Sequence, residues 1–229
     1  MDYQSMKTND DLVIDMLEMC AIPLPKQRRS LNTYHRILGA AQECVAEFGY
    51  SKTSTQEVAK RAGISHGGLF RRFPTKVTLM ASMVGYLEAQ ARTVAMEYVS
   101  ETILSSTTQE RVRFFIEGYW RFVQTPQFKA IDEVWDESRT DPQLLKALRP
   151  IIESDVVAGD LAMLFPELEN DVSIQFFSQM IYSSLEYLAF NHGMGADNQA
   201  TVKLELLIKM VCREIDLLRN AAQIPTPAD

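Results

Sequence analysis

Between positions 54 and 76 the sequence runs Ser54-Thr55-Gln56-Glu57, Val58-Ala59, Gly63, then Ser65-His66-Gly67-Gly68-Leu69-Phe70-Arg71-Arg72, and closes on Lys76. These side chains suit one kind of chemistry. Hydroxyls and helix N-terminal amides hold oxyanions, arginine can donate two parallel bonds to one, and imidazole can donate or accept at a base edge. Such groups act together only if short helices present them on one surface.

The local pattern predicts those helices. Ser54 and Glu57 have the spacing of a capping box, which starts a helix at Thr55. Gly63 is expected at its end, where glycine takes the left-handed backbone that other residues resist. Ile64 then plugs the core, Ser65 caps the next helix, and Leu69 points inward. This order describes a helix-turn-helix whose second helix can enter a major groove. Two adjacent glycines, Gly67 and Gly68, weaken that helix by about 1 kcal/mol each relative to alanine.

Charge is unevenly distributed along the 229 residues, whose formal net charge is −7. Residues 1–25 carry one base and five acids, residues 26–76 ten bases and three acids, and residues 77–229 twelve bases and twenty-two acids. A short basic stretch on an acidic body suits a chain in which one part approaches phosphates and the rest stays off them. A chance cluster of solvated bases is the competing reading, and the helix-turn-helix pattern decides against it.

Several classes are disfavoured. Apolar residues make up 46% and charged residues 23%, which places the chain among globular proteins rather than disordered or fibrous ones. Cys20, Cys44 and Cys212 are far apart and without metal-ligand spacing, so neither a disulfide framework nor a metal site is expected, and a cytoplasmic location fits. The N-terminus lacks the pattern of a signal peptide, and no apolar run suggests a membrane span. There is no nucleophile elbow, P-loop, His-Glu-x-x-His or dinucleotide fingerprint. Asp132-Glu133 and Asp136-Glu137, without histidines, read as a solvated face. No catalytic residue and no cofactor is expected; an all-helical enzyme is the remote alternative.

Helical periodicity covers 34–48, 55–62, 65–71, 76–99, 109–124, 127–138, 142–164, 172–191 and 199–220, with no alternating strand pattern, which predicts an all-α fold. The expected organisation is an extension over 1–30, a helix-turn-helix domain over 31–79, a larger helical domain over 80–222 and a tail over 223–229. The extension is either a short amphipathic helix with Leu12, Met16 and Met19 on one face, or a disordered lead. Its Lys26–Ser30 segment reads equally as a basic arm for a DNA backbone or minor groove and as a solvated linker.

Arg36-Ile37-Leu38, Ala40-Ala41, Phe48-Gly49-Tyr50, Thr53-Ser54-Thr55, Val58-Ala59, Ala62-Gly63-Ile64-Ser65, Gly67, Leu69-Phe70, Phe73 and Lys76 resemble the N-terminal domain of TetR-family transcriptional regulators. The resemblance implies a three-helix DNA-binding head on a helical-bundle body for ligand binding and dimerisation. It further implies a homodimer on palindromic double-stranded DNA, most often a repressor released by a small effector. Two departures delete hydroxyls: Gly68 stands where the family usually has Thr or Ser, and Phe70 where it has Tyr. Arg71 and Arg72 stand where an aromatic and a histidine are common, and could replace the lost contacts. The candidate DNA-binding set is Thr55, Ser65, His66, Gly67, Gly68, Phe70, Arg71, Arg72 and Lys76. Of these, Thr55 and Lys76 are expected at phosphates, His66 and then Arg71 at base edges, and Arg72 at phosphate or surface.

In the body, residues 109–124 are apolar on nearly every face, as a central helix should be. Phe115, Tyr119, Trp120, Trp135, Met163 and Phe176 are candidates for a ligand pocket, with plain core packing as the alternative; an apolar or aromatic effector would suit them. Two stripes, Phe177, Met180, Ile181, Ser184 and Leu188, and Leu204, Ile208, Val211, Ile215 and Leu218, suit a dimer interface or burial within one subunit. A DNA-binding adaptor that recruits a protein without any small effector is the second functional reading.

Overall fold

The computed structural model describes residues 8–19, 30–99, 101–104, 106–153, 161–168, 171–195 and 199–222. Among them are eleven α-helices and no strand: α1 (Asn9–Met19), α2 (Leu31–Phe48), α3 (Thr55–Arg61), α4 (His66–Phe70), α5 (Lys76–Tyr98), α6 (Glu101–Leu104), α7 (Thr108–Phe122), α8 (Pro126–Ser138), α9 (Pro142–Glu153), α10 (Val172–Gly193) and α11 (Ala200–Ala222). The all-α expectation, with an N-terminal helix-turn-helix, holds. The chain divides into two compact units, one within Met1–Met96 and Thr125–Ala158, the other within Glu97–Gln124 and Gly159–Asp229.

The first unit is built around α2, which packs against α1, α3 and α8. Ile37, Leu38, Ala41, Cys44 and Val45 recur at helical spacing and are fully buried, together with Val58 of α3, Leu69 of α4 and Leu79, Met80 and Met83 of α5. α2 ends at Gly49, which has φ 77° and whose amide donates to the Val45 carbonyl at 2.8 Å. The sequence boundary at 79 does not anticipate that α8 and α9 group with the residues before it.

The extension supplies α1. It is capped by Thr8, which donates through both its amide and hydroxyl to Asp11, and it buries Val13 and Leu17 completely. The side chains of Leu12, Met16 and Met19 are outside the described set, as are residues 20–29, which carry Cys20 and most of the basic segment, and the tail. His35 of α2 bridges α1 to α5, with Nε2 3.1 Å from Asp10 Oδ1 and Nδ1 2.9 Å from the Tyr86 hydroxyl.

The second unit packs α7, α10 and α11 with two 3-10 turns, Leu161–Leu164 and Pro166–Leu168. Its core holds Val112, Ile116, Leu161, Phe165, Ile174, Ile181, Leu185, Ile208, Val211 and Ile215. Arg111 and Arg219 flank the Phe165 ring at 5.5 and 5.1 Å, and Arg219 pairs with Glu167. The expected single helix over 142–164 is instead α9 followed, beyond 154–160, by the first 3-10 turn. Apolar periodicity runs on through this region while its packing partners change from one unit to the other, and periodicity alone does not report the partner.

Candidate nucleic-acid interface

Of the capping box expected at α3 the Ser54 half is formed: its hydroxyl accepts from the Glu57 amide at 3.1 Å. The Glu57 carboxylate lies 3.9 Å from the Lys60 ammonium. The turn to α4 depends on Gly63, at φ 64°, and on Arg36 of α2. Arg36 Nη2 donates to the Ala62 carbonyl and, at 3.1 Å, to that of Gly63. A Cβ on Gly63 would lie 2.8 Å from that nitrogen, so both backbone conformation and space favour glycine.

α4 begins with Ser65, whose hydroxyl accepts from the Gly68 amide at 3.1 Å. A Cβ on Gly68 would sit 3.1 Å from that same oxygen, whereas one on Gly67 would meet nothing within 4 Å. Gly68 thus fits tightly under its own cap, and Gly67 leaves open surface. The two helix starts meet at His66: its Nε2 is 3.0 Å from Thr55 Oγ1, and its ring stands edge-on to Phe70 at 4.6 Å between centroids. Ser65, Gly67, Phe70 and Arg71 are exposed, and Thr55, His66 and Gly68 are half-buried.

Two of the expected phosphate ligands are turned inward. Arg72 donates from Nη1 to the Gly68 carbonyl at 3.0 Å and lies 5.7 Å from the Tyr34 ring centroid, so it closes the C-terminal end of α4. Lys76 donates to the Tyr50 carbonyl at 2.6 Å and lies 4.1 Å from the Tyr50 ring centroid. Burial holds its pKa below the ordinary lysine value. On the other side of the same turn, the Tyr50 amide donates to Glu133 at 3.4 Å and the Ser51 hydroxyl to Glu137 at 3.1 Å, both on α8. Burial first, then Asp141 and Glu137, push the Tyr50 phenol up to about 12. Sequence reading gave no role to Tyr34 or to the Arg36 side chain, and it took the acidic run for a solvated face; Glu133 and Glu137 instead accept from the Tyr50–Ser51 turn, and their i, i+4 spacing on one helix face was the signal for it.

The ligand candidates are dispersed. Phe115, Tyr119 and Trp120 are half-buried against the core of the second unit, where Tyr119 packs on Tyr182 at 4.4 Å and donates to Glu186 at 2.7 Å. Met163 is half-buried in the first 3-10 turn, and Phe176 is 61% exposed on α10. Trp135 belongs to the first unit and donates from its indole to Glu88 at 3.0 Å.

Most of the two stripes considered for dimerisation face inward. Ile181, Ile208, Val211 and Ile215 are in the core, with Phe177, Leu188, Leu204 and Leu218 packed against it; Met180 and Ser184 alone of that set are exposed. The outward face carries, besides Met180, a row the stripes did not include: Val172, Phe176, Tyr187 and Phe190 on α10, Met194 just past its end, and Val202, Leu206, Met210 and Leu217 on α11. The physical reason is that both helices carry apolar residues on two faces, and the more regular stripe went to the subunit's own core.

Residues 37–83 match the family described as bacterial regulatory proteins, tetR family. Over that stretch the chain is similar to the TetR family. Among relatives, the chain is 37% identical over 67 residues to an uncharacterized HTH-type transcriptional regulator of Mycobacterium bovis, covering 29% of this chain and 35% of that one. The match therefore spans about a third of that relative's length. A longer, weaker likeness, 22% over 165 residues, joins it to the fatty acid metabolism regulator protein of Bacillus subtilis, covering 70% of this chain and 82% of that one. The solved structure of the transcriptional regulator FadR from Bacillus subtilis in complex with stearoyl-CoA shares the fold, with a TM-score of 0.55 at 19% identity over 76% of this chain and 97% of the other. No described helix is long and apolar enough to cross a membrane, and no metal-binding cluster occurs among the described residues.

Proposed function

We propose that this chain is a sequence-specific DNA-binding transcriptional regulator, a homodimeric repressor in the cytoplasm that leaves a palindromic operator when a small, largely apolar effector binds its body. One observation carries the DNA-binding part. The starts of α3 and α4 meet at the Thr55–His66 hydrogen bond, beside exposed Gly67 and Arg71, within the one strongly basic stretch of an acidic chain. In this reading the α3 N-terminus and the Thr55 hydroxyl hold a phosphate, and His66 and Arg71 read base edges. Ser65 sets the start of α4, while Gly67 and Gly68 keep the helix surface low and Phe70 props the imidazole. Arg72 and Lys76 act first by fixing the turns; Lys76 donates to the Tyr50 and Ser51 carbonyls, and its third ammonium hydrogen is left for a phosphate.

Dimerisation is assigned to the outward apolar row of α10 and α11, where Ser184, Tyr187, Leu188, Lys203, Leu206, Leu207 and Met210 line a shallow groove of about 310 Å³. For the effector, the half-buried aromatics of α7 and the likeness to a regulator solved with stearoyl-CoA make a long-chain acyl thioester the first probe. Release is a population shift: the effector favours a conformer whose two recognition helices no longer match successive major grooves about 34 Å apart.

The test is selection of bound sequences from random DNA with the purified protein. An inverted repeat should be enriched, and stearoyl-CoA should raise the melting temperature of the protein and release the selected duplex. Failure to enrich any two-fold symmetric site removes the specific-regulator reading; enrichment with no acyl effect removes the effector class alone.

A further inference from the structure

We propose that Thr55 fixes the tautomer of His66, and through it restricts one position of each half-site to a base that offers an exocyclic amine, adenine or cytosine. This rests on the reading of α4 as the recognition helix and of the Thr55 hydroxyl as a phosphate ligand, and adds to it the identity of a base.

The argument is one of proton supply. Thr55 Oγ1 and His66 Nε2 are 3.0 Å apart, and a hydroxyl has a single proton to give. Alone, the pair can share that bond in either direction. A phosphate oxygen only accepts, so once Thr55 at the start of α3 donates to phosphate, its oxygen is left as an acceptor towards the imidazole. Nε2 must then carry the ring proton, and a neutral ring is left with Nδ1 as a bare acceptor. In the major groove acceptors are satisfied by adenine N6 and cytosine N4, whereas guanine and thymine present O6, N7 or O4, which repel a lone pair.

The ring is held for this task. Phe70 meets it edge-on at an interplanar angle of 81°, which opposes rotation, and Gly67 adds no side chain beside it. Thr55 is therefore a positioning residue and His66 the reading residue. Arg72, committed to the Gly68 carbonyl, does not compete for the same base.

The experiment compares sequences selected from random DNA by the wild-type dimer, His66→Ala, Thr55→Val and Thr55→Ser, all at one pH. Wild type should prefer adenine or cytosine at one symmetric position by at least about fivefold. His66→Ala should lose the preference there and nowhere else. Thr55→Val should bind all sequences more weakly and admit guanine and thymine at that position, and Thr55→Ser should restore the restriction. If Thr55→Val lowers the melting temperature, Thr55→Ala serves as the second variant without a hydroxyl. The proposal is overturned if the His66-dependent position prefers guanine or thymine, if no position depends on His66, or if both hydroxyl-free variants keep the wild-type preference. Should wild type enrich no symmetric site, the regulator reading itself falls with it.

Discussion

Replacing Gly63 with alanine tests how the recognition helix is aimed. Gly63 sits at φ 64°, a conformation that costs a residue with a Cβ about 1–2 kcal/mol. The new Cβ would also lie 2.8 Å from Arg36 Nη2, which donates to the Ala62 and Gly63 carbonyls. Displacing that exposed guanidinium forfeits about 1 kcal/mol more, taking a net hydrogen bond at the usual value. Gly63→Ala should thus destabilise by about 2–3 kcal/mol in urea unfolding, with an unchanged slope. In an Arg36→Leu background the collision is absent, and the cost should fall to the backbone part, about 1–2 kcal/mol. Equal costs in the two backgrounds would refute the Arg36 contact as a support of the turn. A cost under about 0.5 kcal/mol in both would refute the positive-φ argument as well.

Other outcomes follow from the same geometry. Aspartate at Met180 together with Leu206, both on the outward row, should give a folded monomer in sedimentation equilibrium, whereas Ile208→Asp, in the core, should unfold the second unit, as circular dichroism would show. Leu17→Ala on α1 should lower the stability of the first unit by about 2–5 kcal/mol in urea unfolding; no loss would mean that α1 is not docked in solution. Arg113 holds the Glu205 carboxyl below its ordinary value of 4.5, so the pair stabilises above that value and the benefit is lost as pH falls through the lowered one. Glu205→Gln should accordingly melt below wild type at neutral pH, and the two curves should converge in acid.

The helix-turn-helix was legible in the sequence because its signals are local. Ser54 and Ser65 cap helices three residues ahead of the amides they bind, and Gly63 marks a turn by its own backbone. Long-range pairings were not legible. Nothing in the spacing of Arg36 says that its guanidinium ends at the Ala62 and Gly63 carbonyls, and nothing in the acidic run 132–137 says that two of its carboxylates hold the Tyr50–Ser51 turn. Lys76 and Arg72 read as phosphate ligands from type and position, yet each meets a backbone carbonyl first. In α10 and α11 the period of the pattern identified helices correctly but left two apolar faces, and only packing shows that Ile208, Val211 and Ile215 turn in while Leu206 and Met210 turn out. Composition hinted at α1, but its burial of Val13 and Leu17 against the first unit depends on partners distant in sequence.

The central claim, that the basic helix-turn-helix reads sequence rather than merely attracting phosphate, is tested most directly by a ratio of affinities at one salt concentration. Purified protein is titrated against the selected inverted repeat and against a scrambled duplex of the same composition, with fluorescence anisotropy as the readout. A recognition helix that contacts base edges predicts a ratio of at least about 10³. A ratio near one, with affinity falling steeply in salt for both duplexes, would show that the head binds by charge alone and would contradict the account.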